Sequence, residues 1–185
     1  QQISELKWNK GEHIASLNLE SDKIYQLSND TLKIRISKKN SGELLLAYNQ
    51  EPYSIEAQWR LPWLKDFYIV SATNGTSKLL KKRVSSSWAL SPNKKYWGYF
   101  DHLNSEYHLI DIEKNQDNCV SCNINGVIWT ADLNGQPRSP YPKGEFGYYS
   151  DSSKYFFKSE HDLWMYDIIT DSSICVTNNF GKENN

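Results

Sequence analysis

Apolar and polar positions along the chain repeat one short unit. In residues 162–177, Leu163, Trp164, Met165, Tyr166 and Ile168 form a mostly apolar strand pattern. The polar cluster Thr170-Asp171-Ser172-Ser173 then reverses the chain into Ile174-Cys175-Val176. This predicts a strand, a turn and a second strand. The same pattern occurs around Ile110-Asp111-Ile112 with Cys119-Val120-Ser121, and around Leu17-Asn18-Leu19 with Ile24 to Ser28. A further copy joins Val70-Ser71-Ala72 through Asn74-Gly75-Thr76 to Leu79-Leu80. In three copies a small polar residue (Asn18, Asp111, Asp167) precedes a closing hydroxyl residue (Ser28, Ser121, Thr177) by ten positions. In the remaining copy Ser71 is followed ten positions later by Lys81, a looser match.

A second type of hairpin precedes the later copies. The segment 88–100, with Ser91-Pro92-Asn93-Lys94 at its centre, aligns with 147–157, which turns at Ser150-Asp151-Ser152. A weaker relative spans 34–48. Two alternating hairpins make a four-stranded unit, and the small polar positions recur at intervals of 53, 40 and 56 residues. Short strands, turn-rich connections and irregular periods in this range predict an all-β chain of β-propeller-type blades, each of four antiparallel strands. The expected division is a half blade over 1–30, then blades over 31–83, 84–124 and 125–185, a partial propeller of about 3.5 blades. Trp8 is expected to pack under the first hairpin.

Two interruptions stand out. Residues 49–65 are a long insertion between predicted strands, and residues 130–144 hold three prolines and two glycines, which excludes a central strand. Insertions of this kind project from a rim, where binding residues concentrate. The partner- or ligand-facing candidates are therefore Tyr53, Trp59, Arg60 and Trp63 in the insertion, with Arg138 and Tyr141 in the second loop. For the large rings Tyr53, Trp59 and Trp63 the expectation is core or inter-blade packing, with stacking on a sugar face as the alternative.

Composition narrows the function classes. A net charge of −1 gives a phosphate backbone little to attract, so no nucleic-acid partner is expected. No apolar run is long enough to span a bilayer as a helix. The pairs Lys38-Lys39 and Lys94-Lys95, and the run Lys81-Lys82-Arg83, fall in or beside turns and read as solvated charge. The chain opens on Gln1-Gln2 and its single methionine is Met165, so the expectation is a processed or excised segment. Cys119-Val120-Ser121-Cys122 has redox or metal spacing, but a zinc ribbon needs a second such pair. These cysteines read as strand thiols, with a local disulfide left open; no metal and no cofactor are expected.

Several segments in order carry a resemblance: Asn49-Gln50-Glu51-Pro52-Tyr53, Asp66-Phe67-Tyr68-Ile69-Val70, the Leu90 to Tyr96 turn, Ser139-Pro140-Tyr141, Asp162-Leu163-Trp164, and Val176 to Lys182. From about residue 31 onward the chain resembles the N-terminal propeller of bacterial serine peptidases of the prolyl oligopeptidase and dipeptidyl peptidase family. The resemblance implies an exported protein, periplasmic or extracellular, whose propeller gates peptide access to a separate α/β-hydrolase domain. That domain would supply the catalytic serine, aspartate and histidine. The chain itself has no Gly-x-Ser-x-Gly elbow and no Glu-Glu pair of the kind that holds a substrate amine in dipeptidyl peptidases. His13, His102, His108 and His161 have no serine partner that spacing identifies, so no catalytic residue is expected here. The alternative is a stand-alone propeller that binds protein, peptide or glycan.

Overall fold

The structure, a computed structural model, describes residues 13–19, 21–34, 36–59, 63–124, 129–130, 141–142 and 145–184. The strands are β1 (Ala15–Asn18), β2 (Lys23–Gln26), β3 (Lys33–Ile34), β4 (Leu44–Asn49), β5 (Lys65–Ser71) and β6 (Ser77–Val84). They continue with β7 (Ser86–Leu90), β8 (Tyr96–Asp101), β9 (Glu106–Asp111), β10 (Gln116–Cys119), β11 (Trp129–Thr130) and β12 (Tyr141–Pro142). The last four are β13 (Glu145–Tyr148), β14 (Lys154–Lys158), β15 (Leu163–Asp167) and β16 (Ser172–Cys175), followed by one helical turn, Phe180–Glu183. Three four-stranded antiparallel meanders result, β3–β6, β7–β10 and β13–β16, preceded by the two-stranded β1–β2. This is a partial propeller of three blades and a half blade. Among the described residues the strands β11 and β12, at the two ends of the proline-rich loop, pair only with each other. The expectations for Trp8, Arg60 and Arg138 lie outside the described residues.

Each meander buries the face that alternation gives it. In β8, Trp97 and Tyr99 point to the preceding blade, where they join Phe67, Ile69 and Val84. Phe100 points to the following blade and joins Tyr155, Phe157 and Tyr166, together with Trp88, Tyr107, Leu109 and Val120. The central blade is covered on both sides, which is why residues 96–100 read as nearly continuous aromatic sequence. A smaller cluster of Leu27, Leu45, Ala47 and Val70 joins the half blade to the first full blade. Gly98 lies where a Cβ would come within 2.9 Å of the Tyr155 hydroxyl. That glycine lets the rings of the next blade approach the sheet. The outer strand β6 keeps Lys78, Lys82 and Arg83 exposed, and charge of this kind protects a free edge from pairing with other chains.

The ten-residue repeat has a hydrogen-bonding cause. Asn18 and Asp111 accept the backbone N–H three residues on, from Ser21 and Lys114, each at 3.0 Å. Asp167 accepts from Ile169 and Thr170. Four residues after the small polar position the backbone is left-handed in every copy, at Asp22, Gly75, Asn115 and Asp171. Small polar residues and glycine tolerate that conformation best. The closing hydroxyls then cap the start of the preceding strand. Ser28 accepts from Ile14 N at 2.7 Å, Ser121 from Tyr107 N at 2.8 Å, and Thr177 from Leu163 N at 3.2 Å. The Ser71 copy keeps the turn through Gly75 and lacks the closing hydroxyl. Its deviation from the repeat is thus confined to one of the two bonds.

Between the first and second full blades a polar clamp supplements the apolar contact. Asp117 accepts from Lys81 at 2.8 Å, from the Tyr99 hydroxyl at 2.7 Å and from His108 at 3.0 Å. Tyr99 stacks on both Trp97 and His108. Burial alone would raise the Asp117 carboxyl, but the bonds from His108, Lys81 and Tyr99 outweigh it and hold it well below its ordinary range.

Two predictions follow from this scaffold. Ser121→Ala leaves the buried Tyr107 N–H without its partner, so urea unfolding should report a loss of about 1–3 kcal/mol. Asp117 is depressed in the folded state, so its contribution is present above the unfolded carboxylate value of about 3.9 and lost as pH falls through the folded value. The stability difference between wild type and Asp117→Asn should therefore be level from about pH 7 to pH 5 and shrink below about pH 4. A difference that does not change with pH would show that the charge on Asp117 adds nothing.

Candidate functional site

In an antiparallel meander, successive turns alternate between the two faces of the disc. The β3–β4, β7–β8 and β13–β14 turns share one face. The β4–β5 insertion, the β8–β9 turn and the links between blades share the other.

The insertion leaves the sheet after Asn49 and returns to pair at Asp66. It folds as two 3-10 turns, Glu51–Tyr53 and Glu56–Gln58. Tyr53 does not present its ring to a partner. It is buried, and its hydroxyl donates to Asp66. Burial, then the Asp66 carboxylate, push the phenol up to about 12. Asp66 also accepts Arg83 N at 3.1 Å, and Arg83 adopts a positive φ of 58° to offer it. The Arg83 guanidinium lies 5.2 Å from the Tyr53 ring centre and donates to both Glu56 carboxylate oxygens at 3.2 Å. Tyr53, Glu56, Asp66 and Arg83 therefore lock the insertion to the blade.

Held on that base are Ile55, Trp59 and Trp63, at 69%, 71% and 55% exposure. This corrects the expectation that the two tryptophans pack in the core. The base is built from Tyr53, Glu56, Asp66 and Arg83 and leaves the indoles outside. Beside Trp63 lies a cavity of about 220 Å³, also lined by Gln50, Ser54, Ala57 and Leu64. Tyr141 is described only through its backbone, as part of β12. The structure thus brings Tyr53, Trp59 and Trp63 into one unit and assigns Tyr53 a supporting role. Glu56, Asp66 and Arg83 were missed by sequence reasoning. The charge run at 81–83 was the signal, but only tertiary contact separates an anchoring arginine from a solvated one.

Two further cavities flank the first strand of the second full blade, which approaches the first strand of the third. One, of about 400 Å³, is lined by Trp88, Ala89, Leu90, Pro92 and Tyr148, with Lys38, Lys39 and Lys94 at its rim. The other, of about 360 Å³, lies toward the opposite face and is lined by Lys65, Phe67, Ser85, Ser86, Ser87, Trp88 and Pro142. Trp88 is common to both. Burial pulls the Lys65 ammonium below its ordinary value, and its Nζ stands 4.6 Å over the Tyr48 ring. The Ser85 hydroxyl is buried with no hydrogen-bond partner among the described residues.

The cysteine motif resolves to a disulfide. Cys119 and Cys122 are bonded, with Cα atoms 5.7 Å apart, at the turn that leaves β10. The Glu106 carboxylate gathers beside them, but two sulfurs bonded to each other are not thiolate ligands. His108 is engaged by Asp117, His13 by Asp30 at 3.1 Å, and His102 is buried.

No protein-family model matches the sequence, and no curated protein matches it. Solved structures similar to the chain include TolB from Acinetobacter baumannii, at 14% identity and a TM-score of 0.47, covering 89% of this chain and 37% of that one. The β-propeller domain of the Trilobed protease from Pyrococcus furiosus matches at 14% identity and 0.43, covering 73% and 39%. An oligogalacturonate lyase in complex with manganese matches at 13% and 0.48, covering 89% and 46%. The chain spans less than half the length of each of these three. No helix among the described residues is long and apolar enough to cross a membrane.

The division between anchor and platform is testable. Tyr53→Phe removes a buried bond to Asp66 and should cost about 1–3 kcal/mol. Trp59→Ala, at an exposed ring, should stay within about 0.5 kcal/mol of wild type. Denaturant midpoints at constant m-value measure both.

Proposed function

We propose that the chain is the non-catalytic propeller part of an exported serine peptidase-like protein, packed on a separate α/β-hydrolase domain and gating peptide access to it. The observation that carries this reading is the pair of cavities on the two sides of β7, which share Trp88 and open toward opposite faces. An extended peptide offers a backbone donor and acceptor at each residue and alternating side chains. A path with an apolar middle and polar mouths suits that chemistry. The Cys119–Cys122 disulfide supports export, because such bonds persist in oxidising compartments. The blade limits 1–30, 31–83, 84–124 and 125–185 belong to this proposal, as do Arg60, Arg138 and Tyr141 as rim residues beside Trp59 and Trp63.

A second reading rests on a different observation. The exposed Ile55, Trp59 and Trp63 sit on a locked base, which suits a stand-alone binding module for a protein or peptide, or for a glycan stacked on the indoles.

The deciding experiment assays the full gene product carrying this segment with proline-containing chromogenic peptides, with and without a serine-directed inhibitor. Inhibitor-sensitive cleavage is the expected result. No cleavage would overturn the peptidase reading and leave the binding module. Titrating soluble oligosaccharides against tryptophan fluorescence then tests the glycan form, which an unchanged spectrum would end.

A further inference from the structure

The two lysine clusters Lys38-Lys39 and Lys94 are more than fifty residues apart in sequence, yet they meet at one cavity. Lys94 Nζ donates to the Lys39 carbonyl at 3.3 Å, which ties the β7–β8 turn to the β3–β4 turn. Lys94 takes a positive φ of 60° at its turn, and neither Lys38, Lys39 nor Lys94 forms an ion pair among the described residues. Among the described residues no aspartate or glutamate lines the cavity. Asp151, on the neighbouring β13–β14 turn, is turned to Ser153, bonding its N–H at 2.8 Å and its hydroxyl at 2.6 Å.

Two hydroxyls of the wall are engaged within the protein, Ser41 donating to the Lys38 carbonyl at 3.4 Å, whereas the Tyr148 hydroxyl is buried without a partner among the described residues. The Ser91 hydroxyl accepts from Tyr96 N at 2.9 Å and donates to Asn93 at 2.7 Å. The cavity therefore presents three ammonium groups without a carboxylate partner among the described residues. The Lys94–Lys39 bond brings the lysines to one mouth of this cavity of about 400 Å³. A chain with a net charge of −1 has gathered three lysines at one cavity. Behind it stands an apolar wall of Trp88, Leu90, Pro92 and Tyr148.

We propose that this cavity is a carboxylate site that seats a peptide, with the carboxylate between the lysines and the adjoining apolar side chain against the Trp88–Tyr148 wall. The proposal rests on the reading that peptide reaches the inner strands, and adds which peptides are held and by which end. Lysine supplies point charge without the fixed fork of arginine, so the site accepts a carboxylate from either of two sources, a peptide C-terminus or an aspartate or glutamate side chain.

The test is calorimetric titration of the full chain at low salt with three probes: N-acetyl-Ala-Pro-Phe as the free acid, the same peptide as its amide, and N-acetyl-Glu-Pro-Phe amide. The free acid should bind at least tenfold more tightly than the amide. The glutamate probe separates the sources. Binding close to that of the free acid assigns any carboxylate, and binding close to that of the plain amide assigns the C-terminus; either supports the site. Lys38→Gln/Lys39→Gln, on an exposed turn, should lose at least tenfold for the free acid with an unchanged melting temperature. Adding Lys94→Gln should abolish the preference over the amide.

Equal binding of acid and amide, no binding of any probe, or an unaffected lysine variant would overturn the proposal. Inorganic phosphate competing as tightly as the free acid would overturn the peptide assignment. These outcomes are independent of the cleavage assay. Lysine-dependent binding without cleavage would retain the site and remove the peptidase reading, whereas cleavage indifferent to the lysines would do the reverse.

Discussion

The structure depends on aromatic side chains packed between neighbouring sheets. A four-stranded meander has two faces and cannot bury either alone. Phe67, Trp97 and Tyr99 fill one seam; Trp88, Tyr107, Tyr155 and Phe157 fill the next. Their rings meet in tilted, edge and stacked pairs at centroid separations from 4.9 to 6.2 Å. Each such pair adds about 0.5–1.5 kcal/mol beyond its buried area. Close approach has a steric condition, met at Gly98, where the Tyr155 ring occupies the space a side chain would take.

Polar contacts fix register where apolar packing is indifferent to it. The small polar residue at each outer hairpin bends the backbone into its turn, and the closing hydroxyl returns to a strand N–H fourteen residues earlier. Between blades the same work falls to a few side chains. Lys81 reaches Asp117 across one seam, and across the next the Tyr107 hydroxyl reaches the Lys158 carbonyl at 2.9 Å while Ser173 reaches the Val120 carbonyl at 2.6 Å. These bonds hold the sheets at a fixed rotation about one another. That rotation shapes the cavities beside β7.

The insertion shows how a folded base exposes residues that composition would bury. The Tyr53 hydroxyl turns inward to Asp66 and Glu56 takes the Arg83 guanidinium, while Trp59 and Trp63 are left outside. On the opposite face, turn lysines from two blades meet at the mouth of a cavity with an apolar wall. Neither arrangement follows from local preference. Both arise where segments from different strands or blades meet.

Much of the fold was legible in the sequence, because strand alternation and turn chemistry are local. The hairpins at Asn18, Asp111 and Asp167 were readable from residue spacing. The Ser71 copy looked weak because one of its two determinants is absent, while Gly75 preserves the other. The nearly continuous aromatic sequence at 96–100 acquires its reason in the structure, where that strand is covered on both sides. What the site contains was less legible. Whether Lys94 is solvated or tied to Lys39, whether Arg83 is loose or pinned over Tyr53, and whether Trp59 is core or surface are decided by which strands become neighbours. The sequence alone determined the strands, their turns and the stacking of like units, since these depend on each residue's own shape and its nearest neighbours. The tertiary structure decided which charges meet, which rings remain exposed and where cavities open, since contacts between residues far apart in the chain exist only once the blades are packed.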